Sequence, residues 1–337
     1  MSWKRSQVIE LFRFFLAVGG MDLGFAGGFD FLDRRYEKHG FDIVWANDIM
    51  KEAVDTYRHN FNSHIVRGDI GEILENRPQD IPECDVVIGG FPCQDFSVAG
   101  KRRGLNTDRG KLYEKMKAVI ALTQPQLFVA ENVKGLTNLG NALEVITEEF
   151  KETGIGYDIY YHVLNAADYG VPQTRERLFI IGTRRDMNVE YSFPKPTHSR
   201  EGANGLIPWV TVKEAIEDLW GTEGTLTSPP NHDQISGARL YGDHCQGNKP
   251  VNPEAPGPTI RAEHHGNIEF HYYGTRRLSV RECCRIQSFP DSFFICGSAT
   301  MAYKQVGNAV PPVLAWHIAK SVREALDSAR KCLVMSA

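Results

Sequence analysis

The run Gly89-Gly90-Phe91-Pro92-Cys93-Gln94-Asp95-Phe96-Ser97 sets one cysteine in a loop directly behind a short apolar stretch, Asp85-Val86-Val87-Ile88-Gly89. A thiol attacks as its thiolate, and a loop at a strand end gives it access from a fixed direction. Pro92 stiffens the approach, and the glycines let the backbone come close to a ligand. Glu131-Asn132-Val133 follows a second apolar stretch, residues 126–130, so a carboxyl group stands at an equivalent place. In Gln173-Thr174-Arg175-Glu176-Arg177, two arginines alternate at the start of a strand. They project to one face, which suits an anion or a polar ring. Taken singly, each feature has a bland reading. A free cysteine is usually a small buried hydrophobe, an acid after a strand is a cap or surface charge, and alternating arginines belong to a solvated strand.

The elements that must position these groups follow a β-α-β-α rhythm. Residues 41–46 read as a strand ending in Asn47-Asp48, and residues 51–61 as a helix. Residues 64–66 lead into Gly68-Asp69-Ile70. Strands over 85–89 and 126–130 alternate with helices over 111–122 and 141–152. The alternation implies a parallel sheet covered by helices, with ligands beyond the carboxyl ends of its strands. Asp48, Asp69, Cys93 and Glu131 all stand there. From about residue 158 the pattern changes to two strands, 158–164 and 177–183, spaced as an antiparallel pair. Residues 186–275 are rich in Gly, Pro, His and Asn and read as a separate, loop-rich unit. A short helix is expected over 279–287, and residues 313–330 form an amphipathic helix.

Size and composition narrow the class. At roughly 150 residues per domain, 337 residues predict two domains. The 42% hydrophobic and 24% charged content excludes disorder, collagen and coiled coil as the main architecture. No apolar run reaches the ~18 residues of a membrane span, and the N-terminus shows no secretory leader. A net charge of −4 excludes a uniformly basic nucleic-acid coat while leaving room for a local basic groove. The seven cysteines are odd in number, in a long chain without CxxC, so a disulfide framework is not expected and the cytoplasm is.

Together and in order, the motifs resemble those of the DNA (cytosine-5) methyltransferases, especially the bacterial restriction-modification enzymes. The resemblance rests on Gly90-Phe91-Pro92-Cys93-Gln94, Glu131-Asn132-Val133 and Gln173-Thr174-Arg175-Glu176-Arg177. It continues through Arg277-Leu278-Ser279-Val280-Arg281-Glu282-Cys283, Gln287-Ser288-Phe289-Pro290 and Tyr303-Lys304-Gln305-Val306-Gly307-Asn308-Ala309-Val310-Pro311. It implies an α/β fold: a Rossmann-like S-adenosylmethionine-dependent methyltransferase domain with a smaller loop-rich target-recognition domain. The first would span 1–185, completed by 305–337, and the second 186–304.

The resemblance also implies roles. Cys93 would add to carbon 6 of a flipped cytosine, making carbon 5 nucleophilic toward an electrophilic methyl. Glu131 would bond ring nitrogen 3, Arg177 the 2-oxo group, and Arg175 would orient the nucleophile region. For S-adenosylmethionine, Val18-Gly19-Gly20-Met21 resembles the turn that receives the methionine end, and Asp48 the acid for the ribose hydroxyls. Ile49 would cover the adenine, Asp69 and Ile70 would read it, and Pro92, Asn308 and Ala309 would complete the cofactor side. Gln94, Ser97, Lys101, Arg102, Arg103 and Arg109 would clamp double-stranded DNA, mainly at phosphates. Pro258-Thr259-Ile260-Arg261 resembles the family's short signature at a phosphate beside the flipped base. Arg239, Gln246, Arg261, His264 and His265 are candidates for reading base edges. No metal is implied, because the His264-His265 pair has no second ligand cluster.

The first motif departs from the family. Ala17 stands where a glycine is usual, or three extra residues precede Val18, which predicts weakened cofactor binding. Residues 26–36 read as an insertion. The implied enzyme is monomeric, has no stable protein partner and protects host DNA in a restriction-modification system. Its rivals are a tRNA cytosine-5 methyltransferase and a catalytically weakened DNA-binding homologue.

Overall fold

The computed structural model describes residues 9–14, 18–61, 65–91, 112–237, 249–262, 269–274 and 276–335. Strands β1 (Ile9–Phe14), β4 (Phe41–Asp48), β5 (Ile65–Arg67), β6 (Val86–Gly90) and β7 (Leu127–Val133) run parallel. The pair β8 (Tyr157–Asn165) and β9 (Glu176–Arg184) completes a seven-stranded sheet in the order β5-β4-β1-β6-β7-β9-β8. β9 is antiparallel to β8, as the spacing of the two strands suggested, and also to β7.

Side chains alternate across a strand, and here each alternation feeds one of two cores. Ile9, Leu11, Val86, Ile88, Leu127, Val129, Phe179 and Ile181 face one side. Helices α1 (Gly20–Ala26) and α9 (Pro312–Met335) cover that side through residues such as Phe25, Leu314, Ile318 and Val322. Phe12, Val87, Phe128, Ala130, Leu178 and Ile180 face the other side. There they meet α3 (Ile70–Asn76), α4 (Leu112–Thr123) and α5 (Ala142–Lys151) through Ile73, Met116, Val119, Ile146 and Phe150. Burial on both faces explains why these strands read as unbroken apolar runs.

The extra residues 26–36 form a hairpin, β2 (Phe29–Phe31) with β3 (Arg34–Tyr36). It turns its aromatic residues inward: Phe29 stacks on Tyr36, and Tyr36 meets Trp316 of α9 edge-on. Trp316 Nε1 donates to the Glu37 carbonyl at 2.7 Å, so the hairpin and the C-terminal helix hold each other.

A third core gathers α6 (Val212–Ile216), α7 (Val280–Ile286) and α8 (Ala299–Asn308). Thr211 and Ser279 start α6 and α7 with reciprocal caps to Glu214 and Glu282. Within α7, the buried Arg281 guanidinium donates to the carbonyls of Pro230, Pro290 and Phe293 at 2.7, 2.9 and 2.5 Å. The short pair β10 (His198–Ser199) and β11 (Ile207–Pro208) is the only two-stranded parallel ladder among the described residues. Helix α2 (Lys51–Phe61) is stitched to this third region by polar contacts. Thr56 Oγ1 donates to Gln305 Oε1 at 2.8 Å, and Asn60 exchanges bonds with the backbone of Phe294 at 2.8 and 3.0 Å.

Candidate active site

Because β6 and β7 are parallel neighbours in register, Gly90 lies beside Glu131 at their carboxyl ends. β9 enters from the same end, where Arg177 opposes Val133. Arg177 Nε reaches Glu131 Oε1 at 3.0 Å, with the two side chains 12% and 14% exposed. They are sheltered yet reachable from outside. Burial lowers the Arg177 pKa and the Glu131 carboxylate opposes that shift. A guanidinium nonetheless stays charged at any ordinary pH. The pair therefore presents a fixed fork of donors beside a carboxyl group, suited to the edge of a polar heterocycle.

Asn132 ties this pair to the loop in front of it: its Nδ2 donates to the Phe91 carbonyl at 2.9 Å. Phe91 is the last described residue before the cysteine loop. Pro92, Cys93, Gln94, Ser97, Lys101, Arg102, Arg103 and Arg109 lie outside the described residues.

Arg175, expected to orient the nucleophile region, bonds to backbone. It is 1% exposed, and it donates to the carbonyls of Ile260 and Gly307 at 3.0 and 2.7 Å. It thereby fastens the strand that leads to Arg177 onto the 257–261 segment and the end of α8. Its pKa is pushed well down by burial and by Arg177, with Glu131 opposing. Gln173 does similar work, which its place in a motif did not reveal. Its Oε1 accepts from Ile260 N at 3.1 Å, while its Nε2 donates to the Ile286 carbonyl and to Gln287 Oε1. Gln287 Nε2 in turn donates to the Ala309 carbonyl at 2.6 Å. A buried amide bonded to three partners is visible only once the backbone is in place.

At this junction Thr259 is half-buried and Arg261 is exposed. Thr259 Oγ1 donates to the Thr174 carbonyl at 2.8 Å, and Thr174 N donates to the Gly257 carbonyl at 2.8 Å. Of the other base-reading candidates, Arg239, Gln246, His264 and His265 lie outside the described residues.

The candidate cofactor groups line the same carboxyl edge, after β1, β4 and β5. Val18 and Gly19 both adopt left-handed backbone, φ +57° and +81°, before α1 begins. Ala17 lies outside the described residues, so the described strain sits at Val18. A side chain on Gly20 would meet the Val310 carbonyl at 2.2 Å, which is why the turn needs glycine against the 309–310 segment. Asp48 is buried and its Oδ1 accepts from Met50 N at 2.6 Å. Beside it Ile49 is 53% exposed, an apolar side chain without cover. Asp69 is exposed and caps α3, its Oδ1 accepting from Gly71 N at 2.6 Å. Met21 and Ile70 instead bury their side chains in the two sheet cores, so only their backbone is available here. Asn308 is exposed at the end of α8 and Ala309 is buried behind it. A glycine turn, a carboxylate able to accept from two hydroxyls and an open apolar cover fit the methionine, ribose and adenine parts of S-adenosylmethionine.

One acid and histidine cluster lies elsewhere. Glu223, His232 and Glu282 come within 4.8 Å of one another. Arg276 bonds both carboxylates, and His232 is engaged with Ser279 Oγ and the Leu219 carbonyl at 2.8 Å each. The arginine already supplies the cation.

The sequence model of the C-5 cytosine-specific DNA methylases matches residues 7–243 and 232–324. Type II methyltransferase M.NgoFVII of Neisseria gonorrhoeae is 36% identical over 93% of this chain and 86% of its own length. M.FnuDI of Fusobacterium nucleatum is 35% identical over 96% of each chain. A candidate DNA modification methyltransferase encoded within an E. coli prophage superposes with a TM-score of 0.70 at 24% identity, over 95% of this chain and 99% of that one. The chain belongs to the C-5 cytosine-specific DNA methylase family, whose methyl donor is S-adenosylmethionine.

Proposed function

We propose that this DNA cytosine methyltransferase modifies carbon 5 of one cytosine within a short double-stranded sequence, reading it from a flipped base. The Arg177–Glu131 pair at 3.0 Å, joined through Asn132 to the backbone ahead of Cys93, carries the proposal. The Cys93 thiolate forms a bond to carbon 6, with Glu131 hydrogen-bonded to ring nitrogen 3 and Arg177 to the 2-oxo group. Gly19, Gly20 and Asp48 would hold S-adenosylmethionine, which would supply carbon 5 with its methyl group, the sulfonium sulfur–methyl bond breaking to leave S-adenosylhomocysteine. The carbon-5 proton then leaves to a base, the sulfur–carbon bond breaks, and the aromatic ring returns. Arg175 acts one step removed, by holding the strand that presents Arg177.

In this reading, residues 1–185 with 305–337 hold the cofactor and the reacting base, and 186–304 read the sequence. The buried Arg281 and the capped helices α6 and α7 support a recognition unit built around the third core, which it shares with Val18, Val306 and Ala309. Thr259 exchanges its bond to Thr174 for one to a DNA phosphate, and the basic residues after Cys93 hold the strand. The enzyme works as a monomer in the cytoplasm and protects host DNA from a matching endonuclease. Among the described residues, no helix is long and apolar enough to cross a membrane.

Bisulfite sequencing of DNA from cells expressing the chain tests this directly. One short motif should resist conversion. Cys93→Ser should abolish the signal, leave duplex binding largely intact, and lose covalent trapping on DNA containing 5-fluorocytosine. Conversion-resistant cytosines in tRNA alone would transfer the activity to RNA, and none in either would leave a DNA-binding homologue.

A further inference from the structure

Gly90 carries a second function besides ending its strand. A Cβ built at this position would lie 2.9 Å from Glu131 Oε2 and 3.4 Å from the Glu131 carbonyl oxygen. The other carboxylate oxygen, Oε1, is the one that Arg177 Nε holds at 3.0 Å. The carboxylate is therefore spread across three strands, with one oxygen anchored toward β9 and the other lying over the space left empty at β6. That space belongs to β6, the strand that precedes Phe91 and Cys93 in the sequence.

We propose that Gly90 is a positioning residue for methyl transfer: its missing side chain leaves the room in which the Glu131 carboxylate reaches toward the nucleophile loop. The inference rests on the reading of Glu131 as the group that meets the cytosine ring. An oxygen and a methyl carbon cannot stay 2.9 Å apart, so any side chain at position 90 moves the carboxylate by a few tenths of an ångström. The move either compresses or rotates the bond to Arg177. The blocking atom is the end of a flexible side chain, so folding tolerates the change. Gly90 does not have a left-handed backbone, and alanine is, if anything, the better residue in a strand interior. Catalysis is less tolerant, because reacting groups must keep their geometry to within about 0.5 Å.

The test is a double-mutant cycle on the full chain with duplex DNA. Gly90→Ala should lower kcat by about tenfold, with KM for DNA and for S-adenosylmethionine within about threefold and the melting temperature unchanged. Glu131→Asp draws the carboxylate back by about one carbon–carbon bond, roughly 1.5 Å, out of reach of the added methyl. In that background Gly90→Ala should cost nothing further, so that the double variant turns over at the rate of Glu131→Asp alone. If the two losses multiply instead, or if Gly90→Ala keeps full kcat, the glycine does not position this carboxylate. Glu131→Gln serves as the separate control. Full activity in that variant removes the role of Glu131 itself, whereas loss of activity with multiplying effects overturns only the inference about Gly90.

Discussion

Val18 offers a test of the cofactor turn that does not depend on the reaction. It is a β-branched residue at φ +57°, fully buried in the core that includes Phe289 and Ala309. Such a residue in left-handed backbone costs roughly 1–2 kcal/mol relative to glycine. At a buried site with ordinary backbone, replacing alanine by glycine removes about 0.8 kcal/mol of methyl burial. It also adds about 0.4–1 kcal/mol through the freer unfolded chain. Glycine is then the worse residue by roughly 1.5 kcal/mol. At position 18 the relief of strain offsets that difference. Val18→Gly should therefore be as stable as Val18→Ala to within about 0.5 kcal/mol. Val54, equally buried in α2, supplies the contrast. There the glycine variant should fall below the alanine variant by about 1–2 kcal/mol. Urea unfolding of the four variants, read as midpoints at constant slope, decides it. A glycine deficit at position 18 matching that at 54 would mean that Val18 is not held left-handed, and the account of the turn would fall with it.

Two further outcomes follow from buried groups. Arg175→Met strands the carbonyls of Ile260 and Gly307, and at about 1–3 kcal/mol for each unsatisfied group, partly offset by no longer burying a charge, stability should drop by roughly 2–4 kcal/mol. Urea midpoints measure it, and an unchanged midpoint would show that those bonds hold nothing. His317 is kept neutral by burial and by Arg34, His198 and Lys320, its pKa pushed down to about 3. The unfolded chain takes up a proton near pH 6.5 that the folded chain refuses, so stability is full above 6.5 and declines as pH falls toward 3. His317→Leu should flatten that decline by roughly 1–2 kcal/mol between pH 6.5 and 5, and parallel curves for the two proteins would contradict it.

The sequence disclosed what depends on local pattern. The parallel strands appeared as apolar runs because both of their faces are buried, and the short helix expected over 279–287 forms over Val280–Ile286. It did not disclose what depends on distant partners. Glu131 and Arg177 are neighbours only because β7 and β9 pair antiparallel, and nothing in either motif states that register. The hairpin over 29–36 looked like an insertion of no evident purpose, since the Trp316 it meets lies far along the chain. The strand pattern alone did not separate Arg175 from Arg177. Alternation put both on one face, but only the fold shows that one meets a carboxylate and the other meets carbonyls. Met21 and Ile70 stood in cofactor motifs by position, yet the helices they begin turn their side chains into the core.

The nature of the acceptors at the junction has its own consequence. Gln173, Thr174 and Arg175 hold the 257–260 segment through the carbonyl of Gly257, the amide of Ile260 and the carbonyl of Ile260. Gln287 reaches the Ala309 carbonyl, and Arg175 the Gly307 carbonyl. Every one of these contacts on the receiving segment is made by backbone, which any residue supplies. The catalytic edge thus grips the 257–260 segment mainly through its main chain, while Trp209, Thr259, Gln287 and Ser288 of the proposed recognition unit add side-chain bonds to the catalytic part. Side chains that are not committed to holding the two parts together are available for base edges, where hydrogen-bonding groups must match the DNA sequence. An enzyme that must keep one chemistry while reading one particular target is well served by such a division. The geometry around Glu131 is set by side chains, Arg177 and Asn132 among them, and by the absence of one at Gly90, whereas the 257–260 segment is held mainly by its main chain.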